Sequence, residues 1–393
     1  MSNSNKGPWI KDKWLPGVLN KEQMQALIDN KYIINALGGN EIDNADSAID
    51  LHLTDEGYCM IRGSVKPFHN IPYGQLVKDT HYAEKQIPDS NGVFTLKRNM
   101  SYVFKLNEAL NASLLYDTPI CGQATAKSSI GRVDVIARLI VDGMNEYETF
   151  DTSKLNEKEC GDMYIEITPI TFNVKVKKGI PLSQLRFFYG DIDDSSMSNM
   201  DFINSVLNSN GQNTPILSVD LTDSDENIVA FLAKDNIDEA IQLWGSKVYD
   251  PDKFWEPIAA IEHKGLKSIK IEKNRFYILR SKERISLPNG VSIYCRAMDE
   301  TIGEMRIHYA GFVHPRFGLV RQDDRHGTPL IFEVRGHNVD VLLTDNEILA
   351  RLHFYRMSRE VIDPNVSSSV VPDRINSYYN QELKLSNFFK DWV

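Results

Sequence analysis

The chain has 393 residues, of which 42% are hydrophobic and 25% charged, values ordinary for a globular protein of two domains or one large one. Its net charge of −10 argues against a general nucleic-acid binder, which would carry a basic face, but leaves room for a local cationic pocket that takes small anions. Four scattered cysteines (Cys59, Cys121, Cys160 and Cys295) suggest neither a disulfide framework nor a Cys-x-x-Cys metal site. The first residues lack a signal-peptide core and no apolar run approaches membrane-spanning length, so a cytoplasmic protein with no membrane partner is expected.

The earliest clear element is a helix over about 21–30. Asn20 can cap it, Gln23 stands at the capping-box position, and Met24, Leu27 and Ile28 form its apolar stripe. Beyond it the chain reads as mainly β. Lys127-Ser128-Ser129-Ile130-Gly131-Arg132 falls at a loop-to-strand junction, outside any helix. Its hydroxyls, backbone N–H groups and guanidinium suit phosphate oxygens, although spacing alone favours a solvated turn. Thr171 to Lys177 alternates as a strand and ends in a turn at Lys178-Gly179, and 269–280 and 339–343 are similarly β-like. Residues 190–215 are polar and turn-rich. A short helix over about 237–244 and a final amphipathic segment over about 381–392, read as a C-terminal helix, complete the elements.

An internal repeat organises these pieces. Tyr-Ile-Glu-Ile around Glu166 and Ile-Phe-Glu-Val around Glu333 align without a gap through Val174 on Val341, Leu185 on Leu352 and Phe187 on Phe354. A second anchor precedes each copy, Tyr102-Val103-Phe104-Lys105-x-x-Glu108 and Tyr277-Ile278-Leu279-Arg280-x-x-Glu283. The expected domains are 1–190 and 251–393, with 191–250 as a linker or excursion.

In order along the chain, Ser47-Ala48-Ile49-Asp50-Leu51-His52-Leu53, the Ser128-Ser129-x-x-Arg132 stretch, Tyr309-Ala310-Gly311-Phe312 with His314-Pro315-Arg316-Phe317-Gly318, the Glu333 strand and Tyr378-x-x-Gln381 resemble the dCTP deaminase branch of the dUTPase-like superfamily. The closest resemblance is to its long bacterial form, with two fused copies. It departs from that pattern at His52 (an arginine in the family), His314 and Arg316 (Asp and Gly of an Asp-Pro-Gly) and Ser377 (a lysine).

The resemblance implies two antiparallel β domains of the dUTPase-like, jelly-roll or β-clip type, with short flanking helices. It implies deamination of dCTP to dUTP and ammonia, with Glu333 as base and later acid, and Ser128 and the Ala310 carbonyl placing the water. Arg132 stabilises charge near the attack point, and Lys127 and Ser129 hold the triphosphate. Asp50, His314, Tyr378 and Gln381 complete the substrate contacts, with His314 accepting a hydrogen bond from the sugar. Magnesium is expected to arrive on the triphosphate, with no dedicated metal ligands. No His-x-Glu with Pro-Cys-x-x-Cys occurs, so zinc is not expected. Glu166, completed by another chain, competes with Glu333, whose structural alternative is an ion pair with Arg306 or Arg335. Functional alternatives are a dUTP diphosphohydrolase, a bifunctional enzyme and a non-catalytic nucleotide-binding paralogue. A threefold arrangement of neighbouring domains implies a homotrimer or a multiple of one.

Overall fold

A computed structural model describes residues 7–36, 47–66, 71–155, 161–199, 203, 206–208, 215–222, 228–297, 305–307, 311–318, 327–360 and 382–392. The architecture is mainly β, as expected. The first large sheet runs in the order Val135–Val141, Asp162–Pro169, Tyr102–Leu110, Ile49–Met60, Pro181–Tyr189, Ile120–Ala126 and Thr149–Asp151, every neighbour antiparallel. Alternation explains both the strands and their faces: Ile49, Leu51 and Leu53 are buried, while Asp50, His52 and Thr54 turn the other way.

The second half repeats the plan in several sheets. Phe276–Ile285 pairs with Thr328–Gly336, and Val291–Ala297 with Ile348–Arg356. Val174–Lys177 and Pro181–Tyr189 reappear at equal length as Val341–Thr344 and Ile348–Arg356. The register repeats as well, with Glu166 opposite Val103 and Glu333 opposite Ile278. The second anchor carries the same device in each copy. The buried Glu108 accepts hydrogen bonds from the His52 backbone N–H (2.8 Å) and Nδ1 (2.7 Å). Glu283 accepts from the Ser218 backbone N–H and Oγ, both at 2.7 Å. A buried carboxylate left unmatched is costly, which explains why both copies surround it with donors.

The early helix spans Lys21–Asp29 and carries the full capping box between Asn20 and Gln23. Other expectations need correction. Residues 237–244 are not helical: Ile241 and Leu243 are buried with period two, and Ile241–Gln242 lies parallel to Val174–Lys175. The stretch 191–250 is more than a linker, since Ser196–Met197, Ile216–Ser218 and Ala230–Ala233 pair into the second copy's sheets. Residues 269–280 break at Asn274, which adopts φ 59°, into Leu266–Ile271 and Phe276–Ile285.

Residues 382–392 form no helix. Their backbone pairs with 247–249, Lys247 N to Asn387 O and Val248 N to Phe388 O at 2.8 Å, while Leu385, Phe388 and Phe389 sink into the first copy's core. Those partners replace intrahelical hydrogen bonds. No helix among the described residues is long and apolar enough to cross a membrane.

Candidate active site

The phosphate-type motif is a single helical turn, Ser128–Gly131, between the Ile120–Ala126 and Val135–Val141 strands, where a helix-free junction was expected. Ile130 and Gly131 are buried and anchor it, leaving Ser128 exposed and Ser129 partly so. Lys127, just before the turn, pairs with Asp50 on the outward face of the Ile49–Met60 strand. Arg132, just after it, is buried and donates to the carbonyls of Lys384 (3.3 Å) and Leu385 (3.4 Å). Ser386 Oγ donates to the Ser129 carbonyl at 2.9 Å, so the C-terminal segment lies against the motif.

Glu333 comes from the other copy. Burial pushes its carboxyl up to about 8, and the Arg132 guanidinium and its own backbone N–H oppose that rise. Glu333 in turn adds to the elevation of the Cys295 thiol, which burial chiefly drives to about 12. Thus Arg132 of the first copy and Glu333 of the second share one electrostatic neighbourhood within a single chain. Arg335, one structural partner considered for Glu333, instead reaches Asp134 at 2.8 Å. Glu166 is also buried, but Ser64 and Tyr147 (3.0 Å) take up its carboxylate.

His314 sits in the turn that ends at Gly318. Gly318 has φ 69°, and a Cβ there would stand 2.0 Å from the Ile285 carbonyl oxygen. Arg316 also adopts a left-handed conformation, φ 70°, at the position where the resembled pattern has glycine. His314 Nδ1 lies 3.2 Å from Ser47 Oγ and 3.4 Å from Arg186 Nη2. Because the guanidinium can only donate, Nδ1 must accept, and the proton is assigned to Nε2. The ring nitrogen engaged by Ser47 and Arg186 is therefore the accepting one, and Nε2 carries the proton. Burial, Arg186 and Lys127 all hold its pKa well below the ordinary value. Nitrogen-15 NMR is expected to find His314 neutral, protonated at Nε2 and unchanged down to about pH 5. Titration near 6.5 would sink this assignment.

Arg186 is a buried charge beside His314 that sequence reasoning passed over. It is fully buried, stacks 3.9 Å from the Phe312 ring, donates to Ile293 O and Ser47 Oγ at 3.3 Å each, and has Nε without a hydrogen-bond partner among the described residues. Burial lowers its pKa to about 9. The available signal was an arginine inside the apolar run Leu185-Arg186-Phe187, where a charge needs a reason.

Lys127, just before the Ser128–Gly131 turn, thus pairs with Asp50 and its charge acts on His314, while Arg132, just after it, acts on Glu333. Ala310, Tyr378 and Gln381 lie outside the described residues. No group of three or more His, Cys, Asp or Glu side chains among the described residues could hold a metal ion.

Comparison with known proteins agrees with this two-part construction. The family model for the 2'-deoxycytidine 5'-triphosphate deaminase (DCD) N-terminal domain matches residues 15–191, and that for the C-terminal domain matches residues 194–389. Among solved structures, the chain is similar to the crystal structure of 2'-deoxycytidine 5'-triphosphate deaminase from Agrobacterium tumefaciens. The two share 24% identity and a TM-score of 0.76, over 88% of this chain and 96% of that one, a likeness of fold. A search of curated proteins finds no match. With both domain models matched in order over nearly its whole length, the chain belongs to the 2'-deoxycytidine 5'-triphosphate deaminase family.

Proposed function

We propose that this chain deaminates dCTP hydrolytically, giving dUTP and ammonia, and that Glu333 is its proton shuttle. The observation that carries this reading is the buried Glu333 carboxyl, poised near neutrality and within the electrostatic reach of the Arg132 cation of the other copy. A general base works best with a pKa near the operating pH, and this one is placed there by burial. Water adds to C4 of the cytosine as Glu333 takes its proton. The carboxylic acid so formed then protonates the departing amino nitrogen, the C4–N bond breaks and ammonia leaves.

Arg132 stabilises the negative charge that develops as the water adds, while Ser128 and the Ala310 carbonyl hold the water. Lys127 and Ser129 take the triphosphate, whose magnesium enters as part of the substrate. Asp50, His314, Tyr378 and Gln381 are proposed to hold the sugar and base and to close over them. This chemistry needs no zinc. Its product would supply thymidylate synthesis in the cytoplasm. Self-association as a trimer or a multiple is part of the proposal, because two copies alone cannot close a threefold ring.

Incubation with dCTP and magnesium, with products resolved chromatographically, is expected to yield dUTP and ammonia in equal amounts. Pyrophosphate release from dUTP would favour the diphosphohydrolase or bifunctional alternatives. Binding of dCTP with no product of either kind would make the chain a non-catalytic paralogue.

A further inference from the structure

Two residues beyond each half of the site, the polarity of the pairing reverses. The charge of Arg132 in the first copy acts on Glu333 of the second, whereas Asp134 of the first copy binds Arg335 of the second. Residues two apart on a strand share a face, so Glu333 and Arg335 address the same neighbour. We propose that the Asp134–Arg335 pair is a positioning device, which sets the Glu333 strand in register against the Arg132 turn. This inference rests on the proposed role of Glu333.

Asp134 is held closely. Its side chain is fully buried and its backbone adopts φ 55°, unfavourable for a residue with a Cβ. Its N–H donates to the Gly131 carbonyl and its own carbonyl accepts from Ile170, both at 2.9 Å, tying it to the turn. Thr171 Oγ1 donates to Oδ2 at 2.5 Å, where Arg335 Nη1 also arrives at 2.8 Å, and Arg335 reaches the Thr171 hydroxyl at 3.2 Å. Oδ1 has no hydrogen-bond partner among the described residues.

As a stabilising contact this arrangement is poor. Burial raises the Asp134 carboxyl to about 6 even with a guanidinium and a hydroxyl beside it. Apolar side chains of similar volume would commonly hold two surfaces together as well or better. What a directional pair adds is register. The duplication supports the point, because the first-copy position matching Arg335 is Thr168, whose hydroxyl bonds Ser101 at 2.8 Å inside its own unit. Among the described residues the cross-copy pair occurs where Arg132 meets Glu333, and the first-copy strand carrying Glu166 lacks it.

The test uses Asp134→Asn and Arg335→Met, singly and combined, in the full chain. Ammonia release from dCTP is followed from pH 5.5 to 9.5, alongside unfolding in urea. Each single variant is expected to lose about tenfold or more in kcat with KM changed less than about threefold, as misplacement of a reacting group predicts. The acid limb of kcat/KM should also move, because Glu333 would sit differently against Arg132, Cys295 and its own backbone N–H. The double variant should be no worse than the poorer single one, and Arg335→Lys should recover part of the loss. Folded variants whose pH profiles overlay the wild type, or losses that simply multiply, would overturn the proposal. If Asp134→Asn does not fold, the contrast between Arg335→Met and Arg335→Lys decides. Glu333→Gln separates the two readings. Ammonia release surviving that change defeats the glutamate assignment, whereas an inactive Glu333→Gln beside fully active Asp134 and Arg335 variants defeats only the positioning pair.

Discussion

Glu333→Gln is expected to reduce ammonia release from dCTP by about 10²–10⁴-fold while the protein stays folded, the range set by removal of a general base. Glutamine keeps the shape but can neither take a proton from water nor return one. The wild type should show an acid limb in kcat/KM near pH 8, where burial places the Glu333 carboxyl. Below that pH the group is protonated in the free enzyme and cannot accept.

The same displacement has a consequence for stability, with a definite sign. The folded-state value near 8 lies above the ordinary 4.5, so unfolding releases a proton between those limits. Stability therefore falls as pH rises through that window, and the burial cost is fully present above about 8. Each unit of displacement is worth about 1.4 kcal/mol, so the whole effect amounts to a few kcal/mol. The glutamine variant escapes it. Its thermal midpoint should match the wild type near pH 4 and exceed it by several degrees at pH 8.5. Equal midpoints at both pH values would show that Glu333 carries no such penalty, and full ammonia release would remove it from the chemistry.

Arg132→Met is expected to be comparably severe, with kcat/KM reduced about 10³-fold. Methionine fills much of the volume but removes the cation that opposes the elevation of Glu333. The acid limb of any residual activity should consequently move to higher pH, and a downward movement would contradict the proximity of the two groups. Loss of the donors to Lys384 and Leu385 should also loosen residues 382–392, measured as faster backbone hydrogen exchange there. Arg132→Lys should not restore activity, because an ammonium cannot reproduce the planar guanidinium that spans the Lys384 and Leu385 carbonyls while keeping its charge near Glu333.

Much of this was legible because the signals are local. The capping box at Asn20 and Gln23 concerns residues three apart, and strand alternation through 171–177 is a period of two. The repeat was legible too, since Glu108 and Glu283 each stand six residues beyond the tyrosine that opens their anchor, Tyr102 and Tyr277. Errors came where a non-local partner outweighed a local pattern. Residues 237–244 and 382–392 read as helices, yet both took backbone partners from distant segments, 173–175 and 247–249. Arg186 and Asp134 escaped notice because their meaning lies in what surrounds them, Phe312 and His314 for one and Arg335 for the other.

By itself, then, the amino-acid sequence determined the two-copy β plan and the Ser128–Arg132 motif, because periodicity and adjacent chemistry are written along the chain, while the resemblance of its motifs carried the candidacy of Glu333. Only the tertiary structure decided that the charge of Arg132 acts on Glu333 within one molecule while Ser64 and Tyr147 hydrogen-bond Glu166, that His314 Nδ1 is the accepting nitrogen, and that Asp134 is tied to Arg335. The physical reason is that a buried charge takes its protonation and its role from groups hundreds of residues away, which strand pairing brings close and which no local pattern records.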